Sequence, residues 1–534
     1  MLIVLDLVLV LSKYIYFRPN TCLFVINLVN NFLFIMAQDI ETEKPIVREV
    51  SKIAEEKPAF ADSALSFLHE VGETIFTEDE EKKLVRVVDW MILPLLAAVY
   101  FLQFLDKNLI NFANIMGLGK DTNSTPSQFS DLALVFYVAY LVSEPLSSFL
   151  LQRLPVAKFL GINVILWGLC LALNSVCKTY ASLVALRVLL GIFEACVSPS
   201  MIIIICMWYK RREQPLRIGF FCGTVGLGII VGALCSYGFQ HYHSNVFKSW
   251  QIMFLVFGLV TIAVGILLLL FLPDNPMTSR LGNRQKAIAV IRLRNDTTGI
   301  ENKTFKPSQF FEALRDPHTW LICLLTTAIN IPNAAVSTFQ ATIIQGLGYT
   351  ATQAALISIP SGVIGIIAIW GAAYTSFKFN NRSVVIILLV AAGILGGGLM
   401  AFLPSQEKVG RLIGTYLTNT IPSTTPIIYS WVAANIAGHT KKITVNAMLL
   451  MAFCLGNIIG PLTFTNPPAY TAAKITIVAV LCFAVAIALL LVYLYHRNNV
   501  RRMLLSSGDN SQATADSSFL DLTDQENENF IYIL

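Results

Sequence analysis

From about residue 90 to 495 the chain alternates long apolar runs with short polar breaks. A helix crossing a bilayer needs roughly 20 such residues. Twelve runs qualify, at about 90–112, 129–151, 157–177, 180–208, 217–239, 250–272, 318–340, 352–376, 383–403, 410–436, 443–465 and 472–495. In lipid every backbone polar group must be satisfied within the segment, which favours helices. The predicted fold is therefore all-α and integral to the membrane, with twelve spans. A charged stretch at 273–317 divides them six and six, holding Arg280, Arg284, Lys286, Arg292, Arg294, Lys303, Lys306 and Arg315. The expected organisation is a tail (1–89), a six-helix bundle (90–272), a partly helical central loop (273–317), a second bundle (318–495) and a tail (496–534).

Two sets of six suggest two halves related by an axis along the membrane normal. Direct repetition is weak, but Pro199 in span 4 is echoed by Pro422 and Pro426 in span 10. Interrupted helices at matching positions point to a substrate cavity. The extreme N-terminus is apolar at 2–17 and 22–35, yet broken by Asp6, Lys13 and Arg18. A signal peptide, a thirteenth span and an upstream extension before Met36 are the three readings. The third agrees best with the loop charges.

Basic residues in loops set orientation. Arg153 and Lys158 lie between spans 2 and 3, and Lys210, Arg211, Arg212 and Arg217 between spans 4 and 5. Lys378, Arg382, Lys441 and Lys442 occupy the corresponding loops of the second half, while the opposite loops carry only scattered bases. Both tails and the central loop are thus expected in the cytosol, with the protein in the plasma membrane. The sequon at Asn123 falls in the first outer loop, where glycosylation is topologically allowed. Arg153, Lys158, Arg211, Arg212 and Arg217 are expected to set topology and gate the inner face, and His439, at the inner end of span 10, to act as a hinge or gate.

Composition narrows the class further. The chain is 55% hydrophobic and only 13% charged, too little charge for the surface of a soluble protein of 534 residues. A net charge of +5, dispersed, gives no reason to expect nucleic acid. The ten cysteines are scattered without a CxxC pair, so neither a metal nor a redox site is expected. No cofactor is expected beyond protons as the coupling ion. The glycines of span 5 (Gly219, Gly223, Gly226, Gly228, Gly232) read as small-residue packing. They do not form a phosphate loop, since no GK[ST] follows.

The unusual chemistry lies inside the spans. Span 1 carries Asp106, Lys107 and Asn108, and span 4 carries Arg187 and Glu194. Charges at this depth are costly and normally face a protein interior with partners. Seven residues separate Arg187 from Glu194, about two turns, so both lie on one face. Counting about 1.5 Å per residue puts Asp106 and Arg187 at nearly the same depth. Asp106 is expected to face Arg187, with Glu194 deeper. A fixed guanidinium can hold a carboxylate in a planar fork, and buried acids can exchange protons between open states. The set suits proton-coupled uptake of a small organic anion. The plainer alternative is a structural salt-bridge set that locks two helices. Asn108, Tyr137 and Tyr140 join the candidates for substrate contact, with Lys107 and Arg187.

FLDKNLINFANIMGL (104–118) and LRVLLGIFEACVSPSMIIIICMWYKRREQPLR (186–217) resemble signatures of the anion:cation symporter branch of the major facilitator superfamily. The central stretch from LPDNPMTSR to ALRDPHTW (272–320) and NIAGHTKK (435–442) are similar to the fungal allantoate permease subfamily. The resemblance covers about 85–500. It implies proton-coupled carriers of carboxylates such as allantoate or vitamin acids, with Asp106 and Glu194 in proton coupling and Arg187 contacting substrate or a coupling acid. Where the family often has arginine after the first acid, this chain has Lys107. The common loop 2–3 pattern is reduced to LLQRLPVAKFLG, without its aspartate. The expected partners are a small organic anion and the lipid bilayer, with the protein monomeric. Rival readings are a transport-inactive nutrient sensor and an uncoupled facilitator of the same fold. An enzyme is disfavoured, because no clustered Ser/His/Asp, metal run or cofactor loop is present.

Overall fold

The computed structural model describes residues 76–210, 213–242, 247–296, 306–379, 381–404, 406–464, 470–506, 523–527 and 530–534. Eleven helices among them are long and apolar enough to cross a bilayer. The remaining crossing, span 10, is broken into Lys408–Thr418, a 3-10 turn at Ile421–Ser423 and Thr424–Asn435, so neither helical piece spans alone. Pro422 cannot donate to the helix ladder, and Pro426 follows in the next turn. Span 4 is likewise divided, into Tyr180–Glu194 and Val197–Trp208, with Pro199 just beyond the break. The matching interruptions read from the proline pattern are thus real features of both halves.

Packing repeats between the halves as well. Span 1 (Glu78–Ile115) packs on span 5 (Gln214–Cys222 and Val225–Gln240), and span 7 (Pro317–Gly346) on span 11 (His439–Leu462). Span 3 (Val156–Leu173) packs on span 6 (Ser249–Phe271), and span 9 (Arg382–Phe402) on span 12 (Thr471–Ser506). Small residues let these backbones approach. A methyl added to Gly168 would come within 2.8 Å of Ile262 N and 2.9 Å of Gly258 O. Between the halves, span 5 crosses span 8 (Ala351–Ile357 and Ile359–Phe379) at a glycine pair. A methyl on Gly362 would stand 2.6 Å from Gly226 O.

Two boundaries extend beyond the apolar runs. Span 1 starts at Glu78, ahead of the expected residue 90, because EDEEKKLVRVVDW continues the helix with acids in its first turn. Those acids complement the helix dipole. Span 12 continues to Ser506. The central loop holds two helices, Asn283–Asp296 and Pro307–Arg315. The first opens with Gly282 N donating to Gln285 Oε1.

The membrane side on which span 1 begins and span 12 ends is called the tail face here. On the opposite, far face the two halves are joined. Ala341 N donates to Asn111 Oδ1 at 3.0 Å, and Asn114 Nδ2 donates to Thr342 Oγ1 at 3.0 Å. Phe129 of span 2 (Pro126–Arg153) packs edge-on to Phe339, which stacks on Phe464.

Candidate substrate and proton site

In the middle turns of span 1, Gln103 and Asp106 lie on one face and Asn108 on another, and all three are buried. Asp106 is 1% exposed. Its Oδ2 accepts a 2.8 Å hydrogen bond from Trp167 Nε1 of span 3, and its Oδ1 is buried without one. Trp167 is the partner that sequence reasoning missed. An indole inside LWGLC reads as packing, yet a buried indole N–H usually needs an acceptor, which was the available signal. Arg187, 5% exposed, lies within electrostatic reach of both Asp106 and Glu194.

Glu194 closes the first half of span 4 and has no exposed surface. The Lys107 ammonium lies 2.9 Å from its Oε1, an ion-pair distance without hydrogen-bond alignment. The same ammonium stands 5.4 Å from the Phe104 ring centre and 6.0 Å from that of Phe136. Lys107 is therefore engaged by Glu194 rather than presented as a free cation. Asn108 donates its Nδ2 to Phe104 O at 2.7 Å, spending that hydrogen on its own helix. Tyr137 and Tyr140 are buried against Phe136, with ring centres 5.0 and 6.2 Å away. Tyr137 senses both Glu194 and Arg187, and Tyr140 senses Glu194. Spans 1, 2 and 4 thus bring the expected charges and both tyrosines together.

The tail face carries a second layer of charge. Arg217, at the start of span 5, forks onto Asp89 of span 1 at 3.2 and 3.1 Å. Lys441, at the start of span 11, pairs with Asp316 beside span 7 at 3.0 Å. Spans 5 and 1 correspond to spans 11 and 7, so one ion pair recurs in both halves where little sequence repeat is visible. Lys441 also meets Glu312 and Asp524, both at 2.8 Å. Arg292 of the central loop bridges Glu81, at 3.3 Å, and Glu213.

The other expected gate residues are differently placed. Arg153 is exposed, with its guanidinium 4.3 Å from the Phe149 ring centre. Lys158 is exposed and lies 3.8 Å from Asp274. Asp274 also accepts from Ala157 N and Lys158 N at 3.0 and 3.2 Å, capping span 3. An acid of the central loop thus stands at the helix start whose own loop lacks an aspartate. Arg211 and Arg212 lie outside the described residues, as does the side chain of His439, although span 11 begins at that residue.

NIAGHTKK proves to be a docking seat for the C-terminal residues. Asn435 Nδ2 donates to Ile533 O at 2.8 Å, and its Oδ1 accepts from Ile533 N at 2.7 Å. Trp431 Nε1 also donates to Ile533 O, at 2.9 Å. Asn499 makes the same two-way pair with the Tyr532 backbone, both bonds at 2.8 Å. Tyr532 stacks on Tyr495, which stacks on His318.

Comparison with known proteins agrees with this architecture. Residues 96–461 match the family model described as Major Facilitator Superfamily. The chain is 38% identical over 455 residues to the thiamine pathway transporter THI73 of Saccharomyces cerevisiae, covering 84% of this chain and 86% of that one. It is 34% identical over 493 residues to the allantoate permease of the same yeast, covering 89% and 90%. Among solved structures, an inward-facing, unoccupied bacterial homolog of the human lysosomal transporter Spinster superposes with a TM-score of 0.58 at 16% identity, covering 78% of this chain and 98% of that one. The xylose transporter XylE of E. coli gives 0.58 at 14% identity, covering 75% and 97%. The twelve spans among the described residues, the paired interruptions and these likenesses together place the chain in the major facilitator superfamily, as a membrane transporter of the fungal allantoate permease branch.

Proposed function

We propose that the protein takes up a small organic anion, a carboxylate, together with protons across the plasma membrane. The observation that carries this reading is the charge balance of the buried site. Asp106 and Glu194 offset Lys107 and Arg187, so the ionised set sums to zero. An anion entering this set would leave one uncompensated negative charge, and burying such a charge costs several kcal/mol. A proton on one of the acids restores neutrality. Lys107 is the natural switch: an anion that draws it away leaves Glu194 to take the proton. Arg187 supplies the planar fork for a carboxylate.

Orientation follows from the bases at the tail face, where Lys158, Lys210, Arg217, Lys441 and Lys442 gather. Positive loops face the cytosol, so the tail face is assigned there, with both tails. Joined far-face ends then correspond to a state shut to the outside. The relative named allantoate permease gives the first carboxylate to try.

The test is a pair of variants in cells lacking their own carriers. Asp106→Asn should abolish accumulation driven by a proton gradient yet keep counterflow of labelled against unlabelled substrate. Arg187→Ala should remove both. Accumulation by Asp106→Asn at the wild-type level would remove this acid from coupling.

A further inference from the structure

One buried acid is left unused by this site. Glu144 of span 2 is 9% exposed, and its Oε2 has no hydrogen-bond partner among the described residues. It sits about 27 Å along span 2 from Pro126, whereas Glu194 sits about 21 Å along span 4 from Tyr180. Both helices start at the far face, so Glu144 lies about one turn nearer the tail face.

Its surroundings come from both halves of the protein. Tyr140 of its own helix and Cys196 of span 4 lie in its electrostatic reach, and both also sense Glu194. Ser198 of span 4 interacts with Tyr140. From the second half, Tyr429 of span 10 and Cys454 of span 11 lie within its electrostatic reach. Cys454 is within reach of Lys107 as well, but that ammonium is held by Glu194. The groups in its reach are thus hydroxyls and thiols, and among the described residues no base pairs with Glu144. An ionised carboxylate buried here has no counter-charge, which costs several kcal/mol. The smallest cation that can supply one is a proton.

We propose that Glu144 is a second proton-binding carboxyl of the translocation path, on the tail side of the Lys107–Glu194 pair. This rests on the proton-coupled reading of that pair. Tyr140 and Cys196 lie in electrostatic reach of both acids, and span 2, which carries Glu144, packs on span 11 of the other half, a junction that loosens as the tail face opens. A proton carried in on Glu194 leaves through Glu144: the acid is neutral while the junction is closed and releases its proton to water when it opens.

The experiment compares wild type, Glu144→Gln and Glu144→Asp by two readouts. The first is infrared absorption of purified protein titrated with pH, which sees protonated carboxyl groups directly and needs no substrate. The second is uptake, measured both as proton-driven accumulation and as counterflow. Glu144→Gln should lose one titrating carboxyl band and at least tenfold of its accumulation while counterflow persists. Glu144→Asp, which still titrates, should recover part of both. An unchanged infrared titration would overturn the proposal. Wild-type accumulation in Glu144→Gln would do so too, because the acid would then titrate off the path. Counterflow lost in both variants at normal surface levels would make Glu144 part of substrate binding and overturn its proton role. Should wild type itself show no proton-driven accumulation, the coupling reading fails first, and the infrared arm still reports separately whether Glu144 binds a proton.

Discussion

Replacing Lys441 by methionine keeps the length of the side chain and removes its charge. The ammonium has no exposed surface and lies 2.8, 3.0 and 2.8 Å from Glu312, Asp316 and Asp524. Three acids would then face one another around an uncharged stem. Asp316 would keep His318 at 2.8 Å, and Asp524 would keep the Tyr532 hydroxyl, which donates to its Oδ2 at 2.9 Å. Removing one partner of a buried pair costs about 3–5 kcal/mol, because the remaining charge stays buried. Asp524→Asn should cost less, about 1–2 kcal/mol, since the ammonium keeps two carboxylates. The double variant should fall short of the sum by about 1–3 kcal/mol, the coupling of groups in one network. Thermal unfolding of the detergent-purified protein at a fixed scan rate measures all four forms under the same kinetic conditions. The same samples can be digested by protease to follow release of the C-terminal residues. A Lys441→Met midpoint equal to wild type, or strict additivity with Asp524→Asn, would refute this view of the cluster.

Three further outcomes follow from the same geometry. Burial alone would raise the Asp316 carboxyl, but the hydrogen bond with His318 and the Lys441 charge outweigh it and bring it down to about 2. This acid is depressed on folding, so its stabilisation is complete above about pH 4 and fades as pH falls through about 2. Its size is about 2 kcal/mol, and acid unfolding of Asp316→Asn against wild type over that window should show it. Trp167→Phe removes the indole donor to Asp106 while keeping an aromatic ring; a charge-assisted bond of about 1.5–3 kcal/mol is lost, so proton-driven accumulation should drop at least tenfold with counterflow retained, as tracer uptake would report. Asn111→Ala with Asn114→Ala deletes two far-face bonds between the halves, worth about 1 kcal/mol each, and labelling from the far side of a cysteine placed at the buried Ile344 of span 7 should become faster.

Much of this architecture was legible in the chain, for identifiable reasons. Span length is set by bilayer thickness, so apolar runs reported the crossings, and proline placed the breaks in spans 4 and 10. Charge is costly in lipid, so Asp106, Lys107, Arg187 and Glu194 stood out as a set. What escaped were partnerships across long separations. Trp167 reaches Asp106 from another helix, and Asp274 caps span 3 from beyond span 6. The direct pairing of Lys107 with Glu194 also depends on helix rotation, which spacing along one helix does not report. The C-terminal residues read as part of a tail because their apolar run, FIYIL at 530–534, is only five residues long, far short of a span. Their seat is made by Asn435 and Asn499, whose amide groups pair with backbone and leave no hydrophobic trace. Span 1 begins ahead of its apolar run for a related reason: Glu78 to Asp89 is a charged helical segment without a hydrophobic run, and Asp89 accepts from Arg217 of span 5.

Charge neutrality of the buried site is the central claim, and its most direct test is the proton count per substrate. Cells lacking their own carriers, expressing the wild-type protein, would be given labelled allantoate, nicotinate, pantothenate, biotin and a dipeptide at about pH 5 and about pH 7.5. Proton entry would be recorded alongside uptake, with and without a protonophore. One proton entering with each monovalent anion, faster uptake at the lower pH and collapse of accumulation with protonophore are the predicted results. Accumulation of an anion without proton entry, insensitive to protonophore, would contradict the account.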